Sequence, residues 1–201
     1  MIKIALSMRV TDAVGYHEPR DSVSQDWIRT LDAWGMLPVL IPNHPATAEK
    51  LFDIHQPDCL ILSGGEDIGS NAERDETEIR LLTLAIERQR PVFGVCRGMQ
   101  LINRHFGGRL GTVEGHVATP HDINVARDWQ PFYGERTHVN SYHNICVPAD
   151  GLGTGLLGQA TDDAGNIEGL AHAELPIRAV MWHPERTGAA GGDRKLLESI
   201  L

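Results

Sequence analysis

The stretch Pro91-Val-Phe-Gly-Val-Cys96-Arg-Gly-Met-Gln100 constrains this chain more than any other. It reads as a short apolar strand ending on a cysteine that has a glycine two residues to either side. Gly94-x-Cys96-x-Gly98 is the spacing of a nucleophile elbow, the tight strand-to-helix turn that lifts one side chain out of a sheet edge. Such a turn strains the backbone at its central residue, and residues without Cβ let the neighbouring segments pack close. A sulfur placed there faces the positive end of the following helix, which favours the anion needed for attack on a carbonyl carbon. The competing reading is a buried structural cysteine, the commoner fate of a free thiol.

A second segment, far along the chain, weighs against that competitor. Arg178-Ala-Val-Met-Trp-His183-Pro-Glu185 is another short strand, running into His-Pro-Glu. A nucleophilic cysteine needs a base, and the base needs a third group to fix its tautomer. With Pro184 setting the turn, His183 and Glu185 supply both, giving a candidate Cys96–His183–Glu185 triad.

The order of elements predicts an α/β three-layer sandwich with a mostly parallel central sheet. Ile2–Ser7 reads as the first strand, and Ser22-Val-Ser-Gln25 as a capping box opening a helix with Trp27, Leu31 and Trp34 on one face. Strands follow over Pro38–Ile41 and Asp58–Leu62, with a short helix near Thr47–Ile54 between them. A longer helix spans about Asp75–Arg90, with Ile79, Leu82 and Ile86 at helical spacing. The elbow strand and its helix come next, closed by Gly107-Gly108. Shorter β segments fill Arg109–Trp182, and a final helix lies near Asp193–Leu201. No repeat or linker interrupts residues 1–201, so a single domain is expected. In such sheets ligands gather at the carboxyl ends of the strands. Ser63-Gly64-Gly65, Cys96-Arg97-Gly98 and His183-Pro-Glu185 all fall there. The Arg97 N–H follows the nucleophile directly, and the Gly-Gly turn exposes a second N–H, from Gly65. Together they read as an oxyanion hole, commonly worth about 3 kcal/mol per donor.

Composition narrows the class. With 201 residues, 18 Lys+Arg against 27 Asp+Glu and a formal charge of −9, the chain argues against a nucleic-acid or anionic-membrane surface. No apolar run approaches the roughly 20 residues of a bilayer span, and the amino terminus reads as strand, not as a signal peptide. Three scattered cysteines, Cys59, Cys96 and Cys146, make no disulfide framework and fit a reducing cytoplasm. His116, His121, His138 and His143 lack the paired spacing of a zinc site, so no metal is expected. No cofactor is expected either. Gly151-Leu-Gly-Thr-Gly-Leu-Leu-Gly158 imitates a dinucleotide loop but opens no βαβ unit.

Gly-Val-Cys96-Arg-Gly-Met-Gln100 together with Trp182-His-Pro-Glu185 resembles the class I glutamine amidotransferase superfamily. Leu62-Ser-Gly-Gly65, Asn103-Arg-His-Phe-Gly-Gly108, Val139-Asn-Ser-Tyr-His143 and Gly165-Asn-Ile-Glu168 extend the likeness over most of the chain. The resemblance implies a flavodoxin-like fold, with Cys96 as nucleophile, His183 as acid/base and Glu185 as its orienter. It also implies that Gln100 and the Ser141-Tyr142-His143 loop lie near a bound glutamyl group. Arg97 after the nucleophile is similar to the free-standing γ-glutamyl hydrolase branch, of peptidase C26 type. The short loop after Gly65 and Tyr16-His-Glu-Pro-Arg20 look like its relatives that act on a γ-glutamyl cytidine-diphosphate amidate. That reaction lies on the route to phosphoramidate-bearing surface polysaccharide. Arg20 is then a contact for an anionic leaving group, or else a surface residue paired with Glu18 or Asp21. The expected partner is a small γ-glutamyl substrate. The alternatives are a γ-glutamyl-γ-aminobutyrate or polyamine hydrolase, an ammonia-supplying glutaminase subunit with a synthase partner, and a non-catalytic binding or redox-sensing protein. A homo-oligomer is compatible with each.

Overall fold

The computed structural model describes residues 1–201. The first half runs β1 (Ile2–Ser7), β2 (Arg9–Asp12), β3 (Pro19–Ser22), α1 (Gln25–Ala33), β4 (Met36–Ile41), α2 (Pro45–His55), β5 (Cys59–Leu62), α3 (Ala72–Glu87), β6 (Val92–Val95) and α4 (Arg97–His105). The second half runs β7 (Gly111–Thr112), β8 (His121–Val125), α5 (Gln130–Tyr133), β9 (Arg136–Val139), β10 (Ile145–Cys146), β11 (Leu156–Thr161), β12 (Ile167–His172), β13 (Ile177–Val180) and α6 (Asp193–Glu198).

Nine strands form one sheet in the order β4-β1-β5-β6-β13-β12-β11-β8-β9. The first five are mutually parallel, and the remaining pairings are antiparallel. Every residue of β5 and of β6 is buried, as strands covered on both faces must be. Alternate side chains feed two cores. Ile4, Leu6, Ile61, Phe93, Val95, Val180 and Trp182 meet Trp27 and Leu31 of α1 and Leu196 and Leu197 of α6. Ala5, Leu60, Leu62, Val92, Ala179 and Met181 meet Phe52 of α2, Leu81 and Leu82 of α3 and Met99 and Ile102 of α4. This period-two split between helical layers defines the three-layer sandwich.

Two local expectations change. The cap of α1 is Ser24, whose hydroxyl accepts from Asp26 N at 3.2 Å, because Ser22 is taken into the β2–β3 hairpin opposite Arg9. Ile79 is 45% exposed, and α3 instead turns Arg74, Glu78, Leu81, Leu82 and Ala85 inward. The glycine-rich run 151–155 is a packing loop: a Cβ on Gly153 would lie 2.7 Å from the Phe106 carbonyl, and Asn103 accepts from its N–H at 2.9 Å.

Candidate active site

Four parallel strands deliver their carboxyl ends to one point. After β1 comes Arg9, after β5 the Ser63-Gly64-Gly65 turn, after β6 Cys96, and after β13 His183. Since β5, β6 and β13 are adjacent, the cysteine stands between the glycine turn and the histidine. Cys96 has φ 51° and ψ −106°, a strained geometry for a residue with a side chain. The glycines on either side are required by space. A Cβ on Gly98 would overlap the Leu62 carbonyl oxygen, and one on Gly94 would lie 2.6 Å from Ile102 Cδ1.

His183 is 3% exposed, and its Nδ1 lies 2.7 Å from Glu185 Oε1. Burial opposes a charge on this imidazole. The facing Cys96 sulfur and the Glu185 carboxylate outweigh that penalty and push its pKa up to about 9. Its backbone is held by Asn140, whose Oδ1 accepts from His183 N at 2.8 Å and whose Nδ2 donates to His183 O at 2.9 Å. Asn140 is a positioning residue that the residue pattern alone does not single out. A Cβ on Gly64 would come within 2.8 Å of His183 Cε1 and 3.5 Å of Cys96 Cβ, so this turn lies directly against sulfur and imidazole.

Beneath the turn lies a second feature that the residue pattern hides, a buried ion network. Arg74 donates to the Ser63 and Gly64 carbonyls, each at 3.1 Å, to Glu66 at 2.7 Å and to Glu78 at 3.1 Å. The Arg97 guanidinium pairs with Glu78 and Asp75, so its side chain points into the fold and ties the elbow to α3. Ser7 Oγ links the two, donating to Glu78 at 2.7 Å and accepting from Ser63 N at 2.9 Å. The network sets the turn's orientation. All peptides are trans, so a Gly64 carbonyl aimed at Arg74 leaves the Gly65 N–H pointing away from it. The only sequence signal for the network is the polar pair Arg74 and Glu78, one helical turn apart in α3.

The substrate-facing expectations divide. Tyr142 meets His183 edge-on, with ring centroids 5.5 Å apart, and carries the Arg186 guanidinium 4.4 Å over its ring. Gln100 Nε2 donates to the Ile145 carbonyl at 3.2 Å, and Ser141 Oγ donates to the His116 carbonyl at 2.6 Å. His143 joins a cluster with His116, His121 and Glu168. Spacing along the chain hides this assembly, which forms only through the fold. His138 stays apart, 2.8 Å from Asp122. Arg20 is not brought to the sulfur. It sits opposite Thr11 on the outer part of the hairpin, exposed, bonded to Glu18 at 2.6 Å and Tyr16 at 2.9 Å. The hairpin arginine that does line the cleft beside Ser63, Gly64, His183 and Glu185 is Arg9, whose buried Nε has no partner within the chain. No helix is long and apolar enough to cross a membrane.

Chemically, the arrangement provides a sulfur, a protonated imidazole and a carboxylate in series beside the half-buried Gly64-Gly65 turn. Residues 1–185 match the peptidase C26 family. The chain is 27% identical over 191 residues to the γ-glutamyl-CDP-amidate hydrolase of Campylobacter jejuni, covering 91% of this chain and 90% of that one. It is 29% identical over 157 residues to a glutamine-hydrolyzing GMP synthase subunit of Thermococcus kodakarensis, covering 78% and 80%. Among solved structures, a candidate GMP synthase subunit of Thermoplasma acidophilum superposes with TM-score 0.76 at 22% identity, covering 100% of this chain and 92% of that one.

Proposed function

The chain belongs to the peptidase C26 family, and from that premise we propose that it is a cysteine-dependent hydrolase cleaving a γ-glutamyl amide bond of a small metabolite. Cys96 Sγ attacks the γ-carbonyl carbon, and the Arg97 and Gly65 N–H groups receive the developing oxyanion. Arg74 supports the second of these roles by holding the Gly64 carbonyl on the opposite side of the turn. The C–N bond breaks as His183 passes its proton to the departing nitrogen, leaving a γ-glutamyl thioester. His183 then takes a proton from water, which attacks the thioester carbonyl and releases glutamate and the thiol. Glu185 holds the imidazole tautomer throughout. The observation that carries this reading is the His183–Glu185 contact of 2.7 Å at a ring that also faces the elbow sulfur.

For the leaving group, we favour a nucleoside-diphosphate amidate, as in phosphoramidate-bearing surface polysaccharide synthesis. Support comes from likeness over nine-tenths of both chains to a protein named for that reaction. Arg9 is the cation best placed to meet an anionic leaving group, with its Nε buried and unpaired at the cleft wall. The likeness to the GMP synthase protein of Thermococcus kodakarensis favours a second reading, a glutaminase delivering ammonia to a separate synthase. One assay decides between them: free glutamate is measured with glutamine, γ-glutamyl amines and γ-glutamyl-CDP-amidate in turn. Turnover of the amidate by the isolated chain supports the hydrolase. Glutamine cleavage that rises only with an added synthase supports the ammonia-delivering role. No glutamate from any of them, or full turnover by Cys96→Ala, removes both.

A further inference from the structure

On the antiparallel side of the sheet, four side chains from separate segments converge. Glu168 stands on β12, His121 opens β8, and His116 and His143 lie in the segments before β8 and after β9. The Glu168 side chain is 1% exposed, yet neither of its oxygens has a hydrogen-bond partner. Both ring nitrogens of His121 are likewise buried and unpartnered. A buried carboxylate without a close donor is costly, and here only imidazoles at 3.5–3.8 Å offset its charge.

The spacing indicates what would offset it more closely. Glu168 Oε1 lies 3.5 Å from His143 Nε2 and 3.8 Å from His116 Nδ1, while Oε2 lies 3.7 Å from His121 Nε2. His116 Nδ1 and His143 Nε2 are 3.4 Å apart. Hydrogen bonds between such atoms run about 2.7–3.2 Å. Donors bound to one ion at about 2.0–2.1 Å in a tetrahedron stand about 3.3–3.4 Å from one another. His116, His121 and Glu168 hold ligand atoms within 4.8 Å of one another, and His143 stands 3.4 Å from His116 and 3.5 Å from Glu168, an opened shell that His143 closes by a small shift toward His121. The tautomer of one ring also agrees. His143 Nδ1 lies 3.0 Å from the Ile145 carbonyl and must be the protonated nitrogen there, which leaves the Nε2 lone pair facing Glu168. His116 turns its far nitrogen, Nε2, toward Asp162 at 3.6 Å, the arrangement in which an outer carboxylate steadies a ligating imidazole. Asp162 is itself fixed by Asn166, through N at 2.8 Å and Nδ2 at 2.7 Å.

We propose that His116, His121, His143 and Glu168 bind one divalent transition-metal cation of the zinc class. Three imidazoles and one carboxylate suit zinc, cobalt, nickel or copper, and not calcium or magnesium, which take oxygen. Four protein ligands close the shell, so the role is structural. The ion ties together two segments that also meet through Ser141 Oγ on the His116 carbonyl and through the Val117–Tyr142 bridge. Tyr142 packs on His183, so the metal would steady one wall of the catalytic cleft without entering the chemistry. His116 and His121, with side chains 14% and 18% exposed, give the ion access from solvent.

The test uses full-length Cys96→Ser protein, stripped with EDTA and titrated with ZnCl2 and then CoCl2, so that the elbow sulfur cannot contribute. The expected result is one equivalent of Zn2+ bound, a raised Tm, and tetrahedral Co2+ bands without sulfur-to-cobalt charge transfer. His121→Ala and Glu168→Gln should each weaken zinc binding by about 100-fold or more, the upper end of what outer-shell changes cost. If Glu168→Gln fails to fold, His121→Ala, at a partly exposed position, decides alone. Absence of stoichiometric zinc, or affinity unchanged in His121→Ala, overturns the site. A sulfur-to-cobalt band would bring in the nearby buried Cys146 and overturn this ligand set.

Discussion

Two buried polar clusters flank the sulfur, one under the parallel strands and one under the antiparallel strands. In the first, Arg74 and Arg97 interleave with Glu66, Glu78 and Asp75, and the carboxylates are met by guanidinium forks. Burial works against the charge on Glu66, yet Arg74 beside it wins and holds its carboxyl below the usual range. In the second, Glu168 faces only imidazoles, at distances too long for hydrogen bonds, and Asp162, bonded to Asn166, meets His116 at 3.6 Å. In the first, every carboxylate has a guanidinium partner within the chain, because arginine brings a permanent charge and five donors, of which only the Arg97 Nε is left unused. The second lacks a permanent cation of its own. The segment that must not move, the turn and elbow around the sulfur, rests on the complete cluster. The segment that only walls the cleft rests on the other.

The largest expected effect tests what the complete cluster supports. Cys96→Ala should lower glutamate release by roughly 10³-fold or more, read as single-turnover glutamate formation. Next, Arg97→Met leaves Glu78 and Asp75 short of a partner inside the fold and should cost about 3–5 kcal/mol in urea unfolding. Metal-free Glu168→Gln should cost less, about 1 kcal/mol, because the imidazoles that face this carboxylate stand 3.5–3.8 Å away, beyond close hydrogen-bond reach. Equal losses in the two variants would break the contrast between the clusters.

A third prediction concerns pH. His183 is raised from 6.5 to about 9, so its proton stabilises the fold fully below about pH 6.5, and that contribution is lost as pH rises through about 9. The general acid disappears over the same range, which should place the alkaline limb of kcat/KM near pH 9. Glu185→Gln should move that limb toward neutrality and lower kcat, whereas an unmoved limb would detach Glu185 from the imidazole. The smallest effect separates the two hairpin arginines. Arg9→Ala should raise KM about 10-fold for an anionic γ-glutamyl substrate, the worth of one charged hydrogen bond. Arg20→Ala, an exposed pair with Glu18, should change it less than about 2-fold. The reverse order would return Arg20 to the site.

What can be read from the residues follows from how locally each feature is encoded. The elbow, the His-Pro-Glu turn and the parallel strands are each written within ten contiguous residues, and β1 falls on the range expected for it. The β2–β3 hairpin escapes the pattern because Arg9–Asp12 and Pro19–Ser22 are polar and alternate weakly. Without the hairpin, Arg20 stands out in place of Arg9. The elbow spacing marks Arg97 for its amide, while its side chain does separate work 22 residues back in sequence, at Asp75. The histidine cluster draws on positions 116, 121, 143 and 168, which no spacing rule unites. The pairing of β8, β11 and β12, with the Val117–Tyr142 bridge and the Ser141 bond to the His116 carbonyl, brings them together.

The backbone at Cys96 holds an unfavourable φ of 51° between β6 and α4, where the flanking Gly94 and Gly98 are crowded by Ile102 and the Leu62 carbonyl. Reactivity here is consequently a property of the completed fold and not of the residue. A chain still on the ribosome, or one partly melted between β6 and α4, carries an ordinary thiol with no imidazole beside it. His183 and Glu185 are made well after the sulfur and reach it only through the pairing of β13 with β6.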